Sequence, residues 1–143
     1  MRLELVKRTN TSALYKDFAH SPSKLKATSS AMKKQFTNRK LVACMELHTF
    51  SSLNEEFLQE YKGSMDKPDT AIVYFSLSAI AHKKLEPITK EQVVAAFGRK
   101  DLLVFTDTIK LEEYLNDLSW ENTNLLMMSS GTFEGMNLEN LIY

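Results

Sequence analysis

Along the chain, short unbroken apolar runs take turns with longer stretches whose apolar residues recur every three or four positions. The runs "KLVACMEL", "TAIVYFSL", "DLLVFTD" and "NLLMMSSG" have the pattern of strands covered on both faces. "RLELVKR" instead alternates, as a half-exposed strand does, and "ALYKDFA" can pair with it as a hairpin across the "TNTS" turn. Ser21 then reads as an N-cap with Pro22 at the first helical position, ahead of one apolar stripe of Leu25, Ser29, Met32 and Phe36. Ser52 and Glu55 have the spacing of a capping box before Leu53, Phe57, Leu58 and Tyr61. Thr89 and Gln92 have it again before Val93, Val94 and Phe97, and Gly98 supplies the stop. Leu111, Tyr114, Leu115 and Leu118 mark a last helix, "NLENLIY" closes the chain, and "GSMDKPD" and "SLSAIAHKKLEP" read as mobile loops.

Strands that are unbroken apolar runs, each followed by a helix, require a sheet buried on both sides. The pattern therefore predicts an α/β, three-layer, Rossmann-like domain with a mostly parallel sheet, helices on both faces and an N-terminal β-hairpin. At 143 residues the chain is expected to be one domain, residues 1–143. Ligands of such sheets bind beyond the carboxyl ends of the strands. The residues of interest there are Asp17 to His20, Glu46 to Thr49, Ser76, Asp107, and Ser129 to Phe133.

Charge narrows the partners. Eighteen basic and eighteen acidic side chains cancel, leaving no field of the kind that draws a protein onto nucleic acid or an anionic membrane, so neither is an expected partner. The single Cys44 excludes an intrachain disulfide and reads as a small buried hydrophobe. With no signal peptide and no apolar run near about 18 residues, the expected location is cytoplasmic. The four glycines fit neither GxxxxGK[ST] nor GxGxxG, so the usual backbone cradle for a triphosphate or dinucleotide is missing. Three scattered histidines and one cysteine make no zinc set, and no metal site is expected from this chain alone.

What remains is polar chemistry at strand ends. Asp17 could accept two sugar hydroxyls and His20 could donate to an oxyanion, or Asp17 could simply accept backbone N–H groups in its turn. His48 carries the same two readings. "SSGTFEG" is either an anion-binding nest around Gly131 or a plain tight turn.

Three segments in order resemble the C-terminal domain of the Mur ligase family, the ATP-dependent enzymes that build the peptide stem of peptidoglycan. "DFAHSPSKLKAT" is similar to that family's Asp-[Phe/Tyr]-[Ala/Gly]-His-x-Pro motif, and "LVACMELHTFSSLNEEFLQEY" to the strand that ends in a Pro-His or Pro-Arg pair in its alanine-adding branch. "NLLMMSSGTFEGMNLENLI" resembles the closing "MSSGxFxG" segment, most closely that of the tripeptide-recycling branch. The resemblance implies a domain that closes over ATP and Mg2+ held mainly by a central domain, while an N-terminal domain of the same protein grips UDP-N-acetylmuramate. It further implies that Asp17 and His20 lie at the nucleotide, that His48, Ser129, Ser130 and Phe133 border the amino acid or peptide substrate, and that no catalytic side chain belongs to this domain. The reaction implied is an amide bond between UDP-N-acetylmuramate and a tripeptide, with single L-alanine as the alternative, carried out by a longer polypeptide of which this domain alone is inactive.

The sequence departs from the family at two places: Lys16 and Ser21 stand where many relatives carry a second acid and a second histidine. It also lacks the Asp-Asn-Pro-Arg motif used for free diaminopimelate. Outside the family, the competing readings are a stand-alone nucleotide-sensing or regulatory α/β module and a small hydrolase. A receiver would need paired acids after its first strand, and a hydrolase a GxSxG elbow; the chain has neither.

Overall fold

The computed structural model describes residues 3–49 and 51–142. Arg2, Phe50 and Tyr143, which the strand, helix-start and terminal readings include, lie outside the described residues. Among the described residues six strands form one sheet: β1 (Glu4–Arg8), β2 (Ala13–Asp17), β3 (Lys40–Leu47), β4 (Thr70–Phe75), β5 (Leu103–Phe105) and β6 (Thr123–Met128). Their order is β1-β2-β6-β3-β4-β5. β1 pairs antiparallel with β2 as the expected hairpin, and every other pairing is parallel.

This order explains where the helices lie. The connections β2 to β3, β3 to β4 and β4 to β5 all advance across the sheet in one direction, so right-handed crossovers place them on one face. They contain α1 (Pro22–Gln35), α2 (Glu55–Leu58), α3 (Leu77–His82) and α4 (Lys90–Phe97). The step from β5 to β6 runs backwards, so α5 (Thr108–Asp117) falls on the other face. Strand β3 shows the two cores by alternation: Leu41, Ala43, Met45 and Leu47 pack with α1 to α4, whereas Val42 and Cys44 pack with Leu111 and Leu115 of α5. Fully burying each large apolar side chain contributes about 1.5–3 kcal/mol.

The caps both follow and correct the sequence reading. Thr89 and Gln92 form the expected reciprocal capping box, and Gly98, at φ +69°, ends α4 in the left-handed conformation. Ser21 occupies the N-cap of α1, but its side chain makes no capping bond. The expected box of Ser52 and Glu55 does not form. Ser52 Oγ is taken up by Thr49, and Asn54 caps α2 by accepting from the N–H groups of Glu56 and Phe57. The "SLSAIAHKKLEP" stretch is not a loop throughout, because Ser76 accepts from Ala79 N and starts α3. The "GSMDKPD" stretch has no regular element but is tied down, since Arg99 donates to the carbonyls of Met65 and Pro68 at 2.8 and 2.7 Å.

On the α5 face, the sheet beyond the helix is covered by the C-terminal segment, with Phe133, Met136, Leu141 and Ile142 buried. Lys7 of β1 fastens that segment by donating to the carbonyls of Glu139, Leu141 and Ile142. Among the described residues no helix is long and apolar enough to cross a membrane.

Candidate functional site

Strand β6 lies between β2 and β3, yet the chain leaves β2 and β3 toward one face and β6 toward the other. A crevice opens where neighbouring connections part in this way, at the carboxyl ends of these strands. Here Ser129 N donates to the Asp17 carbonyl at 3.0 Å. The Asp17 carboxylate, 7% exposed, accepts from Ala19 N through Oδ1, while its buried Oδ2 has no partner. Asp17 therefore does the work of a turn with one oxygen and leaves the other uncommitted. His20 donates from Nδ1 to the Phe18 carbonyl, and its own carbonyl accepts from the Tyr61 hydroxyl at 2.8 Å.

The centre of the crevice is Glu46, a carboxylate only 2% exposed near the end of β3. Its Oε1 accepts from Ser129 Oγ at 2.6 Å and from Phe133 N at 2.9 Å. Its Oε2 faces His48 Nδ1 at 3.9 Å. Ser129 Oγ in turn accepts from Gly131 N at 2.7 Å. The His48 ring lies against Gly131 so closely that a Cβ there would stand 2.9 Å from Cδ2, which explains why that turn position carries no side chain. Phe133 and Glu134 both hold positive φ, +52° and +54°, a conformation that strains L-residues and persists only where surroundings fix it. The bond from Phe133 N to Glu46 is one such restraint.

Burial pushes the Tyr74 hydroxyl well above the ordinary tyrosine range, with the negative charge of Glu134 adding to it. Burial likewise raises the Cys44 thiol, with Glu46 contributing, so this cysteine is an inert core residue.

A cleft of about 610 Å³ opens beside this crevice, between β1, β2 and the C-terminal segment. Asp17, Ser129 and Phe133 line it, together with Phe18, Gly131 and Met136. His48, His20 and Ser130 are not among its lining residues, although the His48 ring rests against Gly131, which is; Ser130 Oγ is buried without a partner. Sequence reasoning placed Glu46 at a strand end but assigned it no role. Its signal was an acid inside the apolar run "LVACMEL", where burial demands hydrogen-bond partners.

Over 130 residues the chain is 34% identical to a UDP-N-acetylmuramate–L-alanine ligase from Sulfurihydrogenibium sp. (strain YO3AOP1), covering 89% of this chain and 28% of that protein. Over most of its length the chain is similar to Mur ligases. Its fold agrees: a murein peptide ligase from Psychrobacter arcticus 273-4 superposes with a TM-score of 0.70 at 19% identity, over 98% of this chain and 30% of that one. The UDP-N-acetylmuramate–alanine ligase MurC from Thermotoga maritima does so with a TM-score of 0.62 at 16% identity, over 87% and 24% respectively. No protein-family model matches the chain. The Rossmann-like architecture of Mur ligase C-terminal domains is thus present in full, in a chain that spans 28% of the length of the curated relative it matches.

Proposed function

We propose that this chain is the C-terminal domain, residues 1–143, of a three-domain ATP-dependent Mur ligase that joins UDP-N-acetylmuramate to a peptide, acting in the cytoplasm on recycled murein tripeptide. The N-terminal and central domains of the same polypeptide are its partners, and this domain by itself is inactive. The observation that carries the choice of a peptide is the cleft of about 610 Å³ beside Ser129 and Phe133. That volume falls within the range of about 300–1,000 Å³ typical of sites for drug-sized ligands and leaves room well beyond one alanine.

Asp17 fits the nucleotide role, because its orphaned Oδ2 is a carboxylate oxygen free to accept a ribose hydroxyl or an ordered water. ATP and Mg2+ would be held mainly by the central domain, and together they supply the activated carboxyl group that an amine can attack. This chain's residues then have three tasks: His20 borders the nucleotide, the 129–133 turn and His48 position the incoming amine, and closure of the domain excludes water. A second reading has its own support, since the 34% identical relative is an L-alanine ligase.

Phosphate release from ATP by the longer protein containing this segment separates the two. Offered UDP-N-acetylmuramate, it is expected to release phosphate with L-Ala-D-Glu-diaminopimelate. Dependence on L-alanine instead would move the protein to the first amino-acid addition, and no release with either would overturn the ligase reading.

A further inference from the structure

We propose that Glu46 is a positioning residue that sets both the shape of the acceptor pocket and the tautomer of His48, turning Nε2 into a hydrogen-bond acceptor for the incoming amine. The inference rests on the reading of His48 as a substrate-side residue, but the geometry behind it is independent of that reading. One carboxylate divides its two oxygens between two loops. Oε1 holds the loop after β6 through Ser129 Oγ and Phe133 N, at 2.6 and 2.9 Å. Oε2 stands 3.9 Å from His48 Nδ1. A neutral imidazole carries its proton on one nitrogen only, and at 3.9 Å, longer than a hydrogen bond, the negative charge of the buried carboxylate facing Nδ1 favours the proton there. Nε2 is then left with a lone pair, the form that can accept from an amine or ammonium group and not the form that competes with it as a donor.

Gly131 completes the device. With a Cβ at that position only 2.9 Å from the ring, the turn that Glu46 holds is also the surface against which the imidazole rests. Moving the turn would therefore move the ring. A carboxylate that is 2% exposed and shared by these two loops couples the geometry of Phe133 at the cleft wall to the orientation of His48 behind Gly131. Preorganisation of this kind lowers the ordering required when an acceptor binds.

The test uses side-chain nitrogen NMR of the chain, read at a pH where added base no longer changes the His48 ring-nitrogen signals. Wild type is expected to show His48 protonated on Nδ1, and Glu46→Gln to shift the population several-fold toward the Nε2–H form, because the amide can present a donor to Nδ1. Gly131→Ala, which leaves Glu46 in place but displaces the ring, is expected to weaken the Nδ1–H preference as well. An Nε2–H tautomer in wild type, or the same tautomer in wild type and Glu46→Gln, overturns the proposal even if the variants prove unstable. In the longer ligase, Glu46→Gln is expected to raise KM for the acceptor about tenfold with a smaller change in kcat; a fall in kcat alone would overturn the positioning role. If the wild-type ligase turns over no acceptor, the ligase reading fails while the tautomer measurement still decides what Glu46 does.

Discussion

The two ends of the parallel sheet are built on different rules. At the amino end, charged side chains are consumed by the chain's own backbone. Arg99 donates to the carbonyls of Met65, Pro68 and Asp69 and pairs with Asp101, while Asp69 accepts from Leu41 N and Lys33. At the carboxyl end, Asp17 Oδ2 and Ser130 Oγ are buried without partners. Three of the exposed large hydrophobics, Phe18, Leu77 and Ile109, lie one, two and four residues beyond the ends of β2, β4 and β5. The amino end is not free of orphans: Asn124 Nδ2 is unpartnered although its Oδ1 accepts from Ala13 N and Arg39, and so are Ser64 Oγ, next to Met65, and Asn116 Oδ1, in the last turn of α5. Under the proposed function, the Arg99 cluster belongs to the stability of the fold and Asp17 to its ligands.

The sharpest way to break that contrast is at Arg99. Arg99→Ala removes a guanidinium only 14% exposed from three carbonyl acceptors, and hydrogen bonds involving a charged group contribute about 1.5–3 kcal/mol each, with substantial overlap. Urea denaturation is expected to show a loss of about 3 kcal/mol, with kcat/KM of the proposed longer ligase unchanged at temperatures where it stays folded. Asp17→Asn should behave in the opposite way. Losing the charge beside one backbone donor should change stability by about 1 kcal/mol or less, while phosphate release falls about tenfold, equivalent to about 1.4 kcal/mol of transition-state stabilisation. A variant of Asp17 that loses stability without losing turnover would make the two ends alike.

How much of this contrast could be read beforehand depended on whether the deciding interaction was local. The box of Thr89 and Gln92 spans one helical turn and formed as its spacing required. Ser52 and Glu55 had the same spacing, but Thr49 captured the Ser52 hydroxyl and Asn54 supplied the cap. Helix α3 escaped because its six residues bury only Ile80, too little for a periodic signal. The run "KLVACMEL" matched β3 residue for residue, and the same run concealed Glu46, whose partners Ser129 and Phe133 arrive from the far side of the sequence. Joining them requires the insertion of β6 between β2 and β3, a choice of strand order that apolar patterning leaves open. The individual strand ends were therefore legible, and their assembly around one carboxylate was not.

The smallest expected effect tests the one bond that braces the carboxyl end from beneath. Tyr61, 1% exposed and stacked on Phe97 at 5.0 Å, donates its hydroxyl to the His20 carbonyl. Tyr61→Phe keeps the ring and deletes this bond, so a loss of about 1 kcal/mol at neutral pH is expected. Burial pushes the Tyr61 hydroxyl from 10.0 up to about 12. Since the folded value is raised, the group's contribution is fully present below pH 10 and is lost as pH rises from there through about 12. The wild-type stability should thus fall more steeply than that of the Phe variant in this window. Tyr74 and Cys44 are raised by burial too, but both remain in the two proteins, so the difference between the curves isolates Tyr61. Parallel alkaline limbs would show that the hydroxyl reaches water in the folded state, and that the His20 turn is not braced from below.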